Sequence, residues 1–169
     1  MQALIKGIVL LLALFALAVG ARSVDVGADD HVLREVTDLQ AKAAEGLPIL
    51  VEFALTGCPH CHVAEEEFLK PMIRSGEYEG KVLIRKLLMD RGNTVVDFDG
   101  QEIAARDLAR RYGAVVAPTV VVLSPDGELL TDPVVGLKTV DFYGGYLYRA
   151  IDRAVEAMAA RDAAEVAMR

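Results

Sequence analysis

The stretch ILVEFALTGCPHC, residues 49–61, contains the features that decide the fold of this chain. Its first seven residues are apolar except for Glu52 and lie between residues that break regular structure, which is typical of a short buried strand. Cys58 and Cys61 follow, and Pro59 between them favours the first turn of a helix because it lacks an N–H and its φ is preset. The stretch therefore predicts a strand, a tight loop and a helix with two cysteines at its start.

The placement of the two cysteines suits disulfide exchange. A free thiol titrates near about pH 8.5, and the unpaired N–H groups and positive dipole end of a helix N-terminus stabilise its thiolate. We expect Pro59 and His60 to tune the pKa of the Cys58 thiol, since His60 adds positive charge or a hydrogen bond near the sulfur. Cys58 is assigned as the nucleophile, and Cys61, one turn later, as the thiol that resolves the mixed disulfide.

Two other uses of this motif have to be weighed. The string CPHCH at 58–62 also fits the attachment pattern of c-type haem, with His62 as one axial ligand and Met72 or Met89 as the other. A zinc site would need four ligands, and only the cysteines and histidines of the motif are near. The strand-rich flanks argue against haem, and one helix start cannot surround a zinc ion. We expect no metal and no cofactor other than the redox-active disulfide.

Composition narrows the classes of function. The chain has 169 residues, of which 53% are hydrophobic and 25% charged, as in one globular domain with a real core. The net charge is −7 and no Lys/Arg cluster stands out, so a nucleic-acid partner is not expected. The two cysteines are three positions apart, and such a small loop constrains the unfolded chain little, so a purely structural disulfide is not predicted.

The amino terminus predicts export. One lysine precedes the uninterrupted apolar run GIVLLLALFALAV at residues 7–19, and small residues suited to cleavage follow it. The run has about 13 residues, whereas a membrane-spanning helix needs about 20. We predict a signal peptide at 1–21, a periplasmic or secreted location, and a domain over 22–169 with its core at about 30–155. An N-terminal membrane anchor is the alternative.

The hydrophobic pattern on either side predicts the element order α-β-α-β-α-β-β-α. Two β-α-β crossovers require parallel pairing, and a closing hairpin requires an antiparallel edge, so we predict one mixed α/β sheet of about four strands flanked by helices. Pro71 is predicted to bend or end the second helix. The acidic run at 65–67 is predicted to be a solvated face of this helix near its positive end, with no catalytic role. The predicted helices cover 28–44, the cysteines to about 70, 101–112 and 139–159; the predicted strands cover 49–55, 81–89, 119–123 and 128–135, with a polar loop at 91–100.

Together these segments resemble the thioredoxin superfamily. In that family an acidic residue lies six positions before the first active-site cysteine, and Glu52 occupies this position. The stretch YGAVVAPTVVVLSPDGEL, residues 112–129, resembles the segment that leads through a cis-proline into the terminal hairpin, with Pro118 as that proline. The resemblance implies the thioredoxin fold. It also implies that a substrate strand pairs with the backbone of Ala117, beside Cys58.

Glu52 has two physical interpretations. A carboxylate in an apolar strand is costly to bury unless it is protonated or hydrogen-bonded. If it is buried with a raised pKa, Glu52 could accept the proton of Cys61 as that thiol attacks the mixed disulfide. On a solvent-facing side of the strand it would have no such role. We expect the first, and the second remains open from the sequence.

The finer resemblance concerns direction and partners. The signal segment and the insert at 90–101 resemble periplasmic thioredoxin-like proteins, including those associated with sulfur oxidation. Pro59–His60 is the dipeptide of strongly oxidising DsbA-type oxidases, but their long helical insertion is missing. We predict an oxidoreductase for protein or small-thiol disulfides, more a reductase or exchanger than an oxidase or isomerase. A membrane electron-transfer protein is one predicted partner.

Overall fold

A computed structural model describes residues 32–168, and the predicted signal segment lies outside this range. No helix in the described part is long and apolar enough to cross a membrane. The strands are β1 (Arg34–Glu35), β2 (Ile49–Ala54), β3 (Leu83–Leu88), β4 (Thr94–Val96), β5 (Glu102–Ala104), β6 (Thr119–Leu123) and β7 (Val134–Val135). The helices are α1 (Leu39–Ala43), α2 (Pro59–Ala64), α3 (Lys70–Ser75), α4 (Ala105–Arg111) and α5 (Val140–Ala167), with a π-helical turn at Glu65–Leu69.

The main sheet has five strands in the order β1-β3-β2-β6-β7, and β4 and β5 form a separate hairpin. β2 runs parallel to β3 and antiparallel to β6. All six residues of β2 are buried because helices cover both faces of this central strand, as its continuous apolar run predicts. The fold class is therefore the predicted one, with five strands in place of about four.

The side chains of β2 alternate between two hydrophobic clusters, one on each face of the sheet. Leu50 packs with Tyr143 and Leu147 of α5, on the face that also carries Ala64 of α2. Val51 and Phe53 belong to the cluster on the opposite face. Glu52 is two residues after Leu50 in the strand, so its side chain lies on the same face of the sheet as that of Leu50, the face covered by α2 and α5.

The helix that starts at the cysteines does not end at Pro71. The π-helical turn precedes this proline, and there the Lys70 N–H bonds to the Glu65 carbonyl. Pro71 then lies in the first turn of α3, where its missing N–H is tolerated. The helix ends at Gly76, which has the left-handed φ of 69°. The sequence predicts that Pro71 bends or ends the helix, and an end at this proline is wrong.

The predicted helix at 28–44 is wrong over much of its described part. The chain forms β1 instead, parallel to β3, and the Val36 N–H continues the ladder by donating to the Lys86 carbonyl at 2.8 Å. Only then does α1 begin, with the Asp38 carboxylate accepting from the Ala41 N–H at 2.8 Å. Unpaired hydrogen-bonding groups at the sheet edge thus override the helical spacing of the apolar residues.

Two other predicted boundaries also need correction. The predicted loop at 91–100 and the first residues of the predicted helix at 101–112 pair as β4 and β5, so α4 begins only at Ala105. The predicted strand at 128–135 is reduced to β7 and an isolated bridge between Leu123 and Leu129. Pro133 interrupts this strand because it has no N–H for a ladder.

Gly127 links the closing turn to the β4–β5 hairpin and offers a test of this packing. It has φ +79°, and a Cβ built there lies 2.7 Å from the Phe98 ring. Gly113 has a similar φ of +73° but open space around it. We expect Gly127→Ala to lower the free energy of unfolding by about 3 kcal/mol and Gly113→Ala by about 1 kcal/mol. Urea unfolding measures both, and equal losses would contradict the close contact with Phe98.

Candidate active site

Cys58 and Cys61 form a disulfide at the N-terminus of α2. Cys58 is the N-cap, and its Sγ accepts a hydrogen bond from the Cys61 N–H at 3.1 Å. Cys58 is half-buried, whereas Cys61 is only 2% exposed. A partner molecule therefore reaches Cys58 more easily, which suits the predicted division between nucleophile and resolving thiol. Donation from a backbone N–H and the helix dipole both stabilise negative charge on the Cys58 sulfur.

The loop before the cysteines is held by a residue from the end of β3. Both the N–H and the hydroxyl of Thr56 donate to the Asp90 carboxylate, at 3.0 Å each. Gly57 next to it has φ 69°, which is unfavourable for residues with a side chain. These contacts join the two parallel strands at the end of the sheet that carries the disulfide.

The Ala117–Pro118 segment lies at the same end of the sheet. Its peptide bond is cis, and the Pro118 carbonyl accepts from the Gly136 N–H at 2.8 Å. Because Thr119 is paired with Phe53 in the antiparallel β2–β6 ladder, Pro118 comes level with the end of β2 that leads to the cysteines. Ala117 is half-buried, and the two valines before it are exposed.

Glu52 is fully buried, so the alternative placement on a solvent-facing strand is wrong. Neither carboxylate oxygen has a hydrogen-bond partner among residues 32–168. Burial raises the pKa of Glu52 from its ordinary value of 4.5 to about 8; the negative charge of Glu65 adds to the rise, and Lys86 and Lys70 oppose it. A carboxyl group with such a pKa exchanges protons readily near neutral pH.

Lys86 is a strand neighbour of Glu52, but its ammonium group pairs with another carboxylate. Lys86 is the partner of Glu52 in the β2–β3 register. Its Nζ lies 3.2 Å from both carboxylate oxygens of Glu65, whose side chain is only 13% exposed. The acidic run at 65–67 is therefore not uniformly solvated, and that prediction is wrong for Glu65. Glu66 pairs with Lys70 and lies 3.9 Å from the exposed His62.

Tyr143 of α5 is a second buried polar group near Glu52. Its hydroxyl has no hydrogen-bond partner in the part of the chain that the structure describes. Burial, reinforced by the charge of Glu52, raises the pKa of Tyr143. Glu52 and Tyr143 are therefore two buried polar groups without hydrogen-bond partners among residues 32–168, on the face of the sheet that α5 covers.

A groove of about 510 Å³ runs along one side of the disulfide. His60 is exposed and does not line it, and no hydrogen bond joins its side chain to either sulfur within residues 32–168. The groove shows that the Lys86–Glu65 pair and both cysteines border one solvent-connected space. Its lining consists of Leu55, Thr56, Gly57, Cys58, Pro59, Cys61, His62, Glu65, Lys86 and Leu88.

Residues 36–143 match the sequence profile of the thioredoxin-like domain. The chain belongs to the thioredoxin-like family. Its structure is similar to spinach chloroplast thioredoxin F (short form), with 20% identity, a TM-score of 0.51, and coverage of 73% of this chain and 96% of that one. It is also similar to mitochondrial thioredoxin 3 of Saccharomyces cerevisiae, with 18% identity, a TM-score of 0.49, and coverage of 71% and 93%. No curated protein sequence matches.

Membership of the thioredoxin-like family and the Cys58–Cys61 disulfide together support thiol–disulfide oxidoreductase activity. The haem alternative names Met72 or Met89 as the second axial ligand beside His62. Met72 and Met89 are both buried, and they belong to hydrophobic clusters on opposite faces of the sheet. Within residues 32–168, no three His, Cys, Asp or Glu side chains are grouped as a metal site would require.

The sequence predicted the two cysteines, Glu52 and the Ala117–Pro118 segment at one end of the sheet, and the structure brings them there. The catalytic and substrate-binding roles that the sequence predicts for these residues remain predictions. The sequence missed Asp90, Lys86 and Glu65. The available signal was the basic pair Arg85–Lys86 inside an otherwise apolar strand, since a charged group there needs a partner.

Proposed function

We propose that this thioredoxin-like protein is an exported thiol–disulfide oxidoreductase that reduces or exchanges disulfides of protein or small-thiol substrates. The observation that carries the proposal is the half-exposed Cys58 sulfur at a helix N-terminus, bonded to a buried Cys61. The strand that leads to them carries a buried carboxyl group, Glu52, without a hydrogen-bond partner among the described residues. The apolar run at 7–19, outside the described residues, supports export.

The reaction begins with the dithiol form. The Cys58 thiolate attacks one sulfur of the substrate disulfide, forms a mixed disulfide and releases the other substrate sulfur as a thiolate. Cys61, giving its proton to Glu52, then attacks the Cys58 sulfur, closes the Cys58–Cys61 disulfide and releases the second substrate sulfur. Two electrons pass from the cysteine pair to the substrate. A thiol or an electron-transfer protein of the membrane returns them.

The substrate segment is expected to pair with the backbone of Ala117. The exposed Val115 and Val116 extend an apolar surface from this position, which suits an extended peptide around a disulfide more than a highly charged small molecule. A protein substrate is therefore preferred over a small thiol.

The direction of electron flow is tested by equilibrating the Cys58–Cys61 couple with glutathione. A reduction potential near that of thioredoxin, about −270 mV, is expected for a reductant. A value near that of DsbA, about −120 mV, would favour the second candidate function, a disulfide-donating oxidase or isomerase. The Pro59–His60 dipeptide favours this candidate. A couple that does not exchange at all would refute both.

Export is tested by expressing the full chain in a bacterium and determining the N-terminus of the protein in the periplasmic fraction. A chain that begins near residue 22 is expected. Recovery of the protein in the membrane fraction with residues 1–21 intact would indicate an anchor. Recovery only from the cytoplasm would contradict export.

A further inference from the structure

Glu65 and Lys86 line the groove beside the disulfide, and the buried Glu52 is the strand neighbour of Lys86. Glu52 and Lys86 are direct neighbours in the β2–β3 register and share one face of the sheet, so their side chains start about 5 Å apart. Yet the Lys86 ammonium contacts Glu65, through both carboxylate oxygens at 3.2 Å. Glu52 is left without any hydrogen-bond partner among the described residues.

Leaving Glu52 unpaired needs an explanation, because a nearby ammonium would ordinarily compensate a buried carboxylate. The position of Glu65 supplies it. Glu65 lies in the turn after Cys61, close to the surface of the groove, and its pair with Lys86 keeps a solvent-connected side. The ammonium group therefore retains part of its hydration there, which it would lose beside Glu52.

We propose that Glu65 is a positioning residue of the redox site. It holds the Lys86 ammonium at the groove and so keeps Glu52 without a counter-ion, as a group that takes and returns the Cys61 proton. The role in catalysis rests on the proposed function, but the electrostatic arrangement can be tested without it. Glu65 touches neither sulfur in a hydrogen bond and acts through Lys86 and Glu52.

The groups that face Glu52 from the surrounding elements agree with this role. β3 contributes Lys86, the helix that starts at the cysteines contributes Glu65 and Lys70, and α5 contributes Tyr143. The neighbour on β6 is the apolar Val120. Burial and the charge of Glu65 raise the pKa of Glu52, and the two lysines lower it. Glu65 thus raises the pKa of Glu52 in two ways: its own negative charge disfavours a second carboxylate, and it engages one of the two lysines that would lower this pKa.

Without a counter-ion, Glu52 is a strong enough base to accept a proton from the Cys61 thiol. A carboxylate paired with an ammonium would hold a proton too weakly at neutral pH to accept one from Cys61. With a pKa of about 8, Glu52 is mostly a neutral acid at pH 7, and its ionised fraction grows as the pH rises towards 8. This ionised form takes the proton of Cys61, becomes a neutral carboxylic acid, and releases the proton again to the departing substrate thiolate or to water in the groove. The proton that leaves Cys61 is thereby passed on, and Glu52 returns to its ionised form.

The test is the titration midpoint of Glu52 followed by carbon NMR of its labelled carboxyl group in the folded, oxidised protein. We expect Glu65→Gln to lower this midpoint by about one to two pH units, because Lys86 becomes free to pair with Glu52. Glu67→Gln is the matched control, since it removes the same charge from the same helical segment at an exposed residue. Its midpoint should stay within a few tenths of the wild-type value.

Lys86→Gln provides a second variant and a test of the coupling. Alone it should raise the Glu52 midpoint, because Glu65 then remains as an uncompensated neighbour. In the Lys86→Gln background, the change Glu65→Gln should move the midpoint by less than half of its effect in the wild-type background. Each variant is first checked for a cooperative unfolding transition.

The proposal is overturned if Glu65→Gln and Glu67→Gln give the same midpoint, or if the effect of Glu65→Gln is undiminished without Lys86. These outcomes are separate from a failure of the proposed function, in which the wild-type cysteine pair does not exchange although the NMR titration can still be read. If the pair does exchange, the pH profile of mixed-disulfide resolution should shift with the Glu52 midpoint.

Discussion

Replacing Cys61 with serine is expected to leave the protein covalently bound to its substrate, whereas Cys58→Ser is expected to abolish the reaction. Cys58 is the half-exposed sulfur at the helix N-terminus and Cys61 is buried behind it, so only Cys58 can make the first attack on a large partner. Without the Cys61 thiol, the mixed disulfide has no intramolecular route to release. Turnover in either variant should fall by about three orders of magnitude or more.

The measurement is incubation of each reduced variant with a protein disulfide, followed by non-reducing electrophoresis and intact mass spectrometry. Cys61→Ser should give an adduct with the summed mass of both proteins, and dithiothreitol should separate the two by reducing the mixed disulfide. Cys58→Ser is the matched control, with the same chemical change three residues away, and should give none. An adduct formed mainly by Cys58→Ser would reverse the assignment of the two thiols.

Replacing Glu52 with glutamine is expected to stabilise the folded protein at neutral and alkaline pH. The pKa of Glu52 is raised from 4.5 to about 8 by burial, so the folded state holds a proton that the unfolded state releases. For such a group the stability is fully present below pH 4.5 and is lost as the pH rises towards 8. Glutamine is neutral in both states and avoids this loss. At pH 7 the gain is about 3 kcal/mol.

Urea unfolding of the oxidised protein at pH 4 and pH 7 measures this gain. The free energies of unfolding of wild type and Glu52→Gln should nearly coincide at pH 4 and separate at pH 7. Glu67→Gln, at an exposed position, should show no comparable separation. The same Glu52→Gln variant should slow the resolution of mixed disulfides. A pH-independent difference in stability would show that Glu52 does not titrate as its burial implies.

The expected stability gain and kinetic loss would together explain why a carboxyl group without a hydrogen-bond partner among the described residues occupies the core. A leucine would satisfy the core at position 52 better than a carboxyl group without partners. The cost of Glu52 is therefore compatible with a functional role, because strained or unsatisfied groups persist where the chemistry needs them.

The sequence by itself determined the central strand of the sheet and the helix start that carries the cysteines. The apolar run before the cysteines specifies a strand buried on both faces, because no polar side is available to face water. The Cys58-Pro59 order specifies a helix start, because proline lacks the donor that later helical positions need. These are local effects, and the structure agrees with them.

Only the tertiary structure decided the edges of the sheet and the electrostatics of the site. Residues 34–36 lie within the predicted helix at 28–44 but extend along β3, because the Lys86 carbonyl accepts a hydrogen bond from the Val36 N–H. The pairing of Lys86 with Glu65, and not with Glu52, depends on the register of two strands and on a helix that packs across them. No local pattern carries that information, since partners 21 residues apart meet only when the sheet is assembled.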